Sequence, residues 1–121
     1  MRERDDVVTA LLVRARARIA DPARWTQGAY ARDAEGRQAL PKSQDAVRWC
    51  ALGALEAELP YRVVDRILDI PLDLRYLDAV QRLEESILAE DWATPANVPG
   101  LNDGAGHEAV LAAYDEAIRR K

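Results

Sequence analysis

The stretch Trp49-Cys50-Ala51-Leu52-Gly53-Ala54-Leu55 decides the fold of this 121-residue chain, because it is almost entirely apolar. A helix that lacks a polar face is surrounded by other elements, so this segment is the predicted centre of the core. We expect its helix to run from a cap at Ser43 to about Leu59. Gly53 in the helix interior costs about 1 kcal/mol of stability relative to Ala, which predicts that another backbone passes close by.

Four further segments carry apolar side chains at intervals of three and four residues, the spacing of amphipathic helices. The first of them has a clear end, because Asp21-Pro22 interrupts the pattern. Asp73 precedes another and is a suitable helix cap. We therefore predict helices over residues 5–20, 60–71 and 73–92, a loop over 94–100 and a last helix after Asn102-Asp103-Gly104.

The region between the first two helices has a different pattern, because the helical period disappears from Trp25 to Leu40. The turn-forming residues Asp33-Ala34-Glu35-Gly36 divide it, so residues 28–40 fit a short β-hairpin or an ordered loop. A chain of this length can bury a core without cross-links. The predicted fold is mainly α, a single domain over residues 1–121 with about five helices and a short β-hairpin between helices 1 and 2.

Composition excludes several classes of function. The hydrophobic fraction of 49% with 31% charged residues is typical of a soluble globular protein. The net charge of −4 arises from interleaved charges, so we expect no nucleic-acid partner. The chain has no apolar run of roughly 18 residues, so no membrane span is expected. The polar N-terminal segment and the single cysteine favour a cytoplasmic location.

Metal and cofactor sites are not expected either. One cysteine and one histidine supply too few ligands for structural zinc, and the acidic residues show no spacing that gathers them. The common glycine-rich phosphate loops are also missing from the sequence. The sequence leaves the oligomeric state open, and a homo-oligomer is compatible with apolar edges on the first and third helices.

Cys50 and His107 are the only thiol and imidazole, and together they would form a cysteine nucleophile with its base. Gln27 would supply an oxyanion donor in this scheme, and Asn102 or Asp103 would orient the imidazole, as in papain-type enzymes. However, Cys50 is predicted in the middle of its helix, seven positions after the cap, among apolar neighbours. A buried free cysteine and an ordinary surface histidine are therefore the favoured interpretations.

A pocket between the hairpin segment and the central helix is the alternative to a catalytic site, and its walls would contain Trp25, Trp49, Trp92 and Tyr30. Structural roles are the competing interpretation of these residues. Large aromatic residues more often belong to the core. Gln27 could bond the loop that Gly28 begins, and Asn102-Asp103 could cap the last helix. We rank a small interaction or regulatory module, binding a protein or small ligand, ahead of a cysteine-dependent hydrolase or transferase. The candidate binding residues are Trp25, Gln27, Tyr30, Trp49, Cys50, Asn102, Asp103 and His107.

Three segments also carry a family resemblance. Trp25-Thr26-Gln27-Gly28, the Cys50-to-Leu55 segment and Asn102-Asp103 resemble the W-x-x-G, C-x-x-G-A-L and N-D motifs of a family of small uncharacterised bacterial and phage proteins. The resemblance covers most of the chain and is weakest over residues 60–91. It implies a single, mainly helical domain, and it implies no substrate because that family has no settled activity.

Overall fold

The computed structural model describes residues 2–59, 64–65, 70–71, 74–90 and 98–119. Within these ranges the fold is mainly α, as predicted, and its five α-helices are α1 (Arg2–Arg18), α2 (Ala51–Glu58), α3 (Leu74–Glu90), α4 (Val98–Gly104) and α5 (His107–Arg119). A 3-10 helix spans Pro22–Arg24. The strands are β1 (Ala31–Arg32), β2 (Arg48–Trp49), β3 (Val64–Asp65) and β4 (Ile70–Pro71).

Helices α1, α3 and α5 pack on one another, and α1 also packs on α2. Their apolar stripes meet in one hydrophobic core. The core stabilises the fold because it removes apolar side chains from water. The buried stripe of α1 continues to Ile19, directly after the helix, and is the one that the helical spacing predicts: Val8, Leu11, Leu12, Ala15 and Ile19. The stripes of α3 and α5 contribute Tyr76, Ala79, Leu83, Ile87, Val110, Ala113, Tyr114 and Ala117.

Polar contacts tie the same three helices together at their edges. The Arg82 guanidinium of α3 donates to Thr9 Oγ1 at 3.0 Å and to the Ala117 carbonyl at 2.6 Å. Arg16 of α1 forms an ion pair with Asp115 of α5. These contacts set the relative position of helices whose packing surfaces are otherwise apolar.

The β-structure between helices α1 and α2 surrounds strand β2. β1 pairs antiparallel with β2, with Ala31 opposite Trp49 and Arg32 opposite Arg48. On the other side of β2, Trp25 forms a parallel bridge to Trp49. The predicted turn over residues 33–36 forms, and Arg32 bridges Gln38 across it. The hairpin prediction is confirmed, although the paired strand comes from residues 48–49.

Two helix predictions need correction. The helix predicted from Ser43 begins only at Ala51, because residues 47–50 satisfy their backbone groups by pairing with residues 30–32. The helix predicted over residues 60–71 is wrong at its described positions, where β3 and β4 form an antiparallel pair. The loop predicted over residues 94–100 is wrong at residues 98–100, which begin α4. Asp73, Trp92 and loop residues 94–97 lie outside the described residues.

Candidate functional site

The side chain of Asn102 is the centre of a hydrogen-bond network that joins three distant segments. Asn102 lies in α4 and is 1% exposed. Its Oδ1 accepts from Trp25 Nε1 at 2.7 Å and from the Ala51 N–H at 2.9 Å. Its Nδ2 donates to the Thr26 carbonyl at 2.9 Å and to Asp103 Oδ1 at 3.1 Å. Both donors and both acceptor positions of the amide are therefore used.

The loop that follows Trp25 is clamped to the end of α4. Gln27 Nε2 donates to the carbonyls of Asn102 and Asp103, at 3.0 and 3.1 Å. The Gly28 N–H donates to Asp103 Oδ1 at 3.0 Å, and Gly28 has a φ of +77°, which glycine adopts without strain. The prediction that Gln27 bonds its own loop is therefore wrong at its amide nitrogen, which bonds α4. Both of its donors are occupied there, which leaves none to act as an oxyanion donor.

Cys50 is the N-cap of α2, so the prediction of a cysteine in mid-helix is wrong. Its Sγ accepts from the Gly53 N–H at 3.3 Å, while Asn102 Oδ1 accepts from the Ala51 N–H. Side chains from two parts of the chain therefore satisfy two of the free donors at the start of α2. Asn102 caps α2, which corrects the prediction that it caps the last helix. Ser, Thr, Asp and Asn are the usual residues at this position.

Another segment of the chain approaches α2 closely at Gly53. A Cβ at this position would lie 1.9 Å from the Tyr30 carbonyl oxygen, so only glycine fits. The predicted close approach of another backbone is confirmed. The same carbonyl accepts from the Cys50 N–H at 3.1 Å. The Tyr30 backbone is thus held against α2, while its side chain remains 40% exposed.

An open pocket of about 350 Å³ lies beside this network, and Cys50 forms part of its wall. Polar and apolar side chains both contribute to the lining. A smaller pocket adjoins it and shares Tyr30 and Gln38. The described residues that line the larger pocket are Gly28, Ala29, Tyr30, Gln38, Cys50, Leu52, Val98, Pro99, Asn102 and Asp103.

The Cys50 thiol is weakly acidic in this setting. Burial raises its pKa above the usual range, and the negative charge of Asp103 acts in the same direction. The Gly53 N–H that bonds Sγ opposes this change without reversing it. Cys50 is therefore a protonated thiol at neutral pH, although it stands at the start of a helix.

His107 is the first residue of α5, and its ring packs beside that of Trp25. Its Nε2 donates to the Ile19 carbonyl at 2.6 Å, and its ring centroid is 5.2 Å from that of Trp25. His107 is half-buried, which differs from the predicted surface position. In the described parts of the chain no hydrogen bond joins His107 to Cys50, so a nucleophile and base pair is not assembled.

Trp49 is a core residue. It is buried, and its Nε1 donates to the Pro41 carbonyl at 2.9 Å. The guanidinium groups of Arg18 and Arg24 lie over its ring, at 4.5 and 5.3 Å from the centroid. Trp49 is not among the described residues that line the pocket beside Cys50. Of the eight candidates, the pocket lining therefore includes Tyr30, Cys50, Asn102 and Asp103.

The apolar residues of the lining carry no signal in the sequence that assigns them to a pocket. Leu52, Val98 and Pro99 are ordinary apolar residues, and only the fold brings them to one site. Over the described ranges, no group of three or more His, Cys, Asp or Glu side chains could hold a metal ion. None of the helices described is both long enough and apolar enough to cross a membrane.

Comparison with known proteins gives one positive result. Neither a curated protein nor a solved structure matches the chain. A family model matches residues 3–120, which is almost the whole length of the sequence. The expected membership in a family without an assigned activity is confirmed. The chain belongs to DUF6197, a family of unknown function.

Proposed function

We propose that this protein is a small-ligand-binding module and that the pocket beside Cys50 is its binding site. The observation that carries the proposal is the saturated network of Asn102 behind the pocket wall. A wall held by four directed hydrogen bonds keeps its shape without a ligand. A preformed site loses less conformational entropy on binding, which favours affinity.

The size and lining of the pocket support a small organic molecule. Its volume of about 350 Å³ lies within the usual range of ligand sites. Leu52, Val98 and Pro99 offer apolar surface, while Tyr30 and Asp103 provide polar groups that would orient a ligand. Polar and apolar groups thus share the wall, and polar groups at defined positions are what fix the orientation of a small molecule in its site.

Binding is favoured over cysteine-dependent catalysis by the chemistry around Cys50. The imidazole of His107 bonds the Ile19 carbonyl, and both amide donors of Gln27 bond α4. The raised pKa of the Cys50 thiol also keeps it in the less nucleophilic form. A module that binds without covalent chemistry needs none of these groups to be activated.

The proposal is tested by screening a library of small organic fragments with ligand-observed NMR on the wild-type chain and two variants. Ala29→Trp places a large ring in the pocket, whereas Ala34→Trp adds the same ring in the exposed turn of residues 33–36. We expect a subset of fragments to bind wild type and Ala34→Trp and to lose binding to Ala29→Trp. Urea midpoints verify that both variants are folded. The proposal fails if no fragment binds wild type, or if the fragments that bind wild type also bind Ala29→Trp with unchanged affinity.

A further inference from the structure

Two neighbouring pockets, together called the groove, each have one acidic residue in their lining. The two pockets share the lining residues Tyr30 and Gln38. Asp103 lines the larger pocket and Glu56 lines the smaller. Among the described residues that line either pocket, these carboxylates are the charged side chains, and neither arginine nor lysine contributes.

The carboxylate of Asp103 has a defined orientation. Its Oδ1 accepts from the Gly28 N–H at 3.0 Å and from Asn102 Nδ2 at 3.1 Å, and both donors belong to the network behind the pocket. Because the side chain is held from this side, little of its rotational freedom is left to lose when a ligand binds. A donor with a positive charge is its strongest partner.

The nearby cations are directed to other partners. Arg18 and Arg24 lie over the Trp49 ring. Arg32 is the cation nearest to Gly28, and its guanidinium donates to Thr26 Oγ1 and to the carbonyls of Gly36 and Gln27. These positive charges do not line the groove, so a cationic ligand would meet carboxylates on its walls.

We infer that the ligand is an organic amine with an apolar or aromatic body, a conclusion that rests on the proposed function. Its ammonium group bonds Asp103, and its body lies against Leu52, Val98 and Pro99. The partly exposed ring of Tyr30 provides a second attraction for the cation through its negative face. An anionic ligand would be repelled by the same carboxylates.

Three probes of similar shape separate charge from size: 3-phenylpropylamine, 3-phenylpropan-1-ol and 3-phenylpropionate. Their dissociation constants are measured by NMR titration of the full chain at low salt. We expect the amine to bind about 10-fold more tightly than the alcohol, because a hydrogen bond to a charged group contributes more than a neutral one. The propionate should bind least tightly. Added salt should weaken the binding of the amine and not that of the other two probes.

Two variants locate the charge. Asp103→Asn keeps an oxygen that accepts from Gly28 and removes the charge, so the amine should bind no better than the alcohol. Asp45→Asn makes the same change at an exposed site outside the groove and should leave all three constants unchanged. The test on wild type needs no variant, so a folding defect in Asp103→Asn cannot conceal the answer.

The inference is overturned if the alcohol or the propionate binds wild type as tightly as the amine does. It is also overturned if Asp103→Asn is folded and binds the amine with the wild-type dissociation constant. If none of the three probes binds while other library fragments occupy the pocket, the amine assignment is wrong and the binding function stands. If neither the probes nor the fragments bind, the proposed function fails as well.

Discussion

The bundle of α1, α3 and α5 and the region around the pocket are stabilised by different forces. Large side chains such as Leu12, Leu83 and Tyr114 are fully buried in the bundle, where burial acts without regard to direction. Around the pocket, Asn102 and Gln27 bond backbone atoms of segments far away in sequence. Hydrogen bonds depend on distance and angle, so this region fixes positions that apolar packing alone would leave variable.

This difference has a functional consequence. A change in the bundle should lower the stability of the whole fold and leave the shape of the pocket in the folded molecules unchanged. A change in the Asn102 network should affect both stability and ligand binding. Measuring both quantities on the same variants therefore separates the two regions.

The largest loss of stability is expected from Leu12→Ala in the bundle. Leu12 is completely buried, and removing such a side chain costs about 2–5 kcal/mol because a cavity remains. Val13→Ala is the control, because Val13 is 46% exposed and its loss should cost no more than about 0.5 kcal/mol. Urea unfolding measures both. Fragment binding to folded Leu12→Ala should equal that of wild type, and a large loss of affinity there would contradict the separation of the two regions.

A similar but slightly smaller loss is expected from Asn102→Ala, at about 2–4 kcal/mol. The change leaves Trp25 Nε1 and the Ala51 N–H without their acceptor, and each unsatisfied buried group costs about 1–3 kcal/mol. Fragment affinity should fall together with stability. Gln44→Ala removes an exposed amide and serves as the control. If Asn102→Ala unfolds at the wild-type urea concentration, the network does not stabilise the site.

Gly53→Ala tests the contact between α2 and the loop, with an expected cost of about 1–3 kcal/mol or more. The new methyl group would overlap the Tyr30 carbonyl, so the loop would have to move away from α2. Gly104→Ala is a matched control in α4, since a Cβ there meets no atom within 4 Å. Urea midpoints compare the two. Equal midpoints for both variants would show that the loop moves at no cost.

How well the sequence predicts each region follows from the same difference. The stripe of α1 repeats at helical spacing, so Val8, Leu12 and Ile19 are identified as buried from their positions alone. Gly53 is also informative, because a glycine within an apolar helix indicates that another part of the chain is close. Both signals are local in sequence. Each can be recognised without knowing which other segment packs against it.

The pocket could be predicted only in part, because its determinants are not local. The start of α2 is set by pairing of residues 47–50 with residues 30–32 and by Asn102, which is 51 positions from Ala51. The residues before Ala51 have the apolar spacing of a helix, and this spacing does not indicate that they pair as a strand instead. The sequence therefore predicts Cys50 in mid-helix, because its capping role depends on the distant partners.

The smallest effect is expected from Cys50→Ser, which replaces a single atom of the pocket wall. Serine is a favourable N-cap, so its hydroxyl should accept from the Gly53 N–H and keep stability at pH 7 within about 1 kcal/mol of wild type. What changes is the pH dependence. The pKa of the Cys50 thiol is raised in the folded protein, so the folded state holds its proton more strongly than the unfolded state does.

The sign of this pH dependence follows from proton linkage. Above the unfolded thiol pKa of about 8.5, the unfolded state binds fewer protons, so the free energy of unfolding of wild type falls as pH rises. Cys50→Ser should lack this first decline. Both proteins should lose stability above about pH 10, because burial also raises the pKa values of Tyr76 and Tyr114. Urea unfolding from pH 7 to 10.5 measures the curves, and identical curves below pH 10 would mean that Cys50 is as solvated in the folded protein as in the unfolded chain.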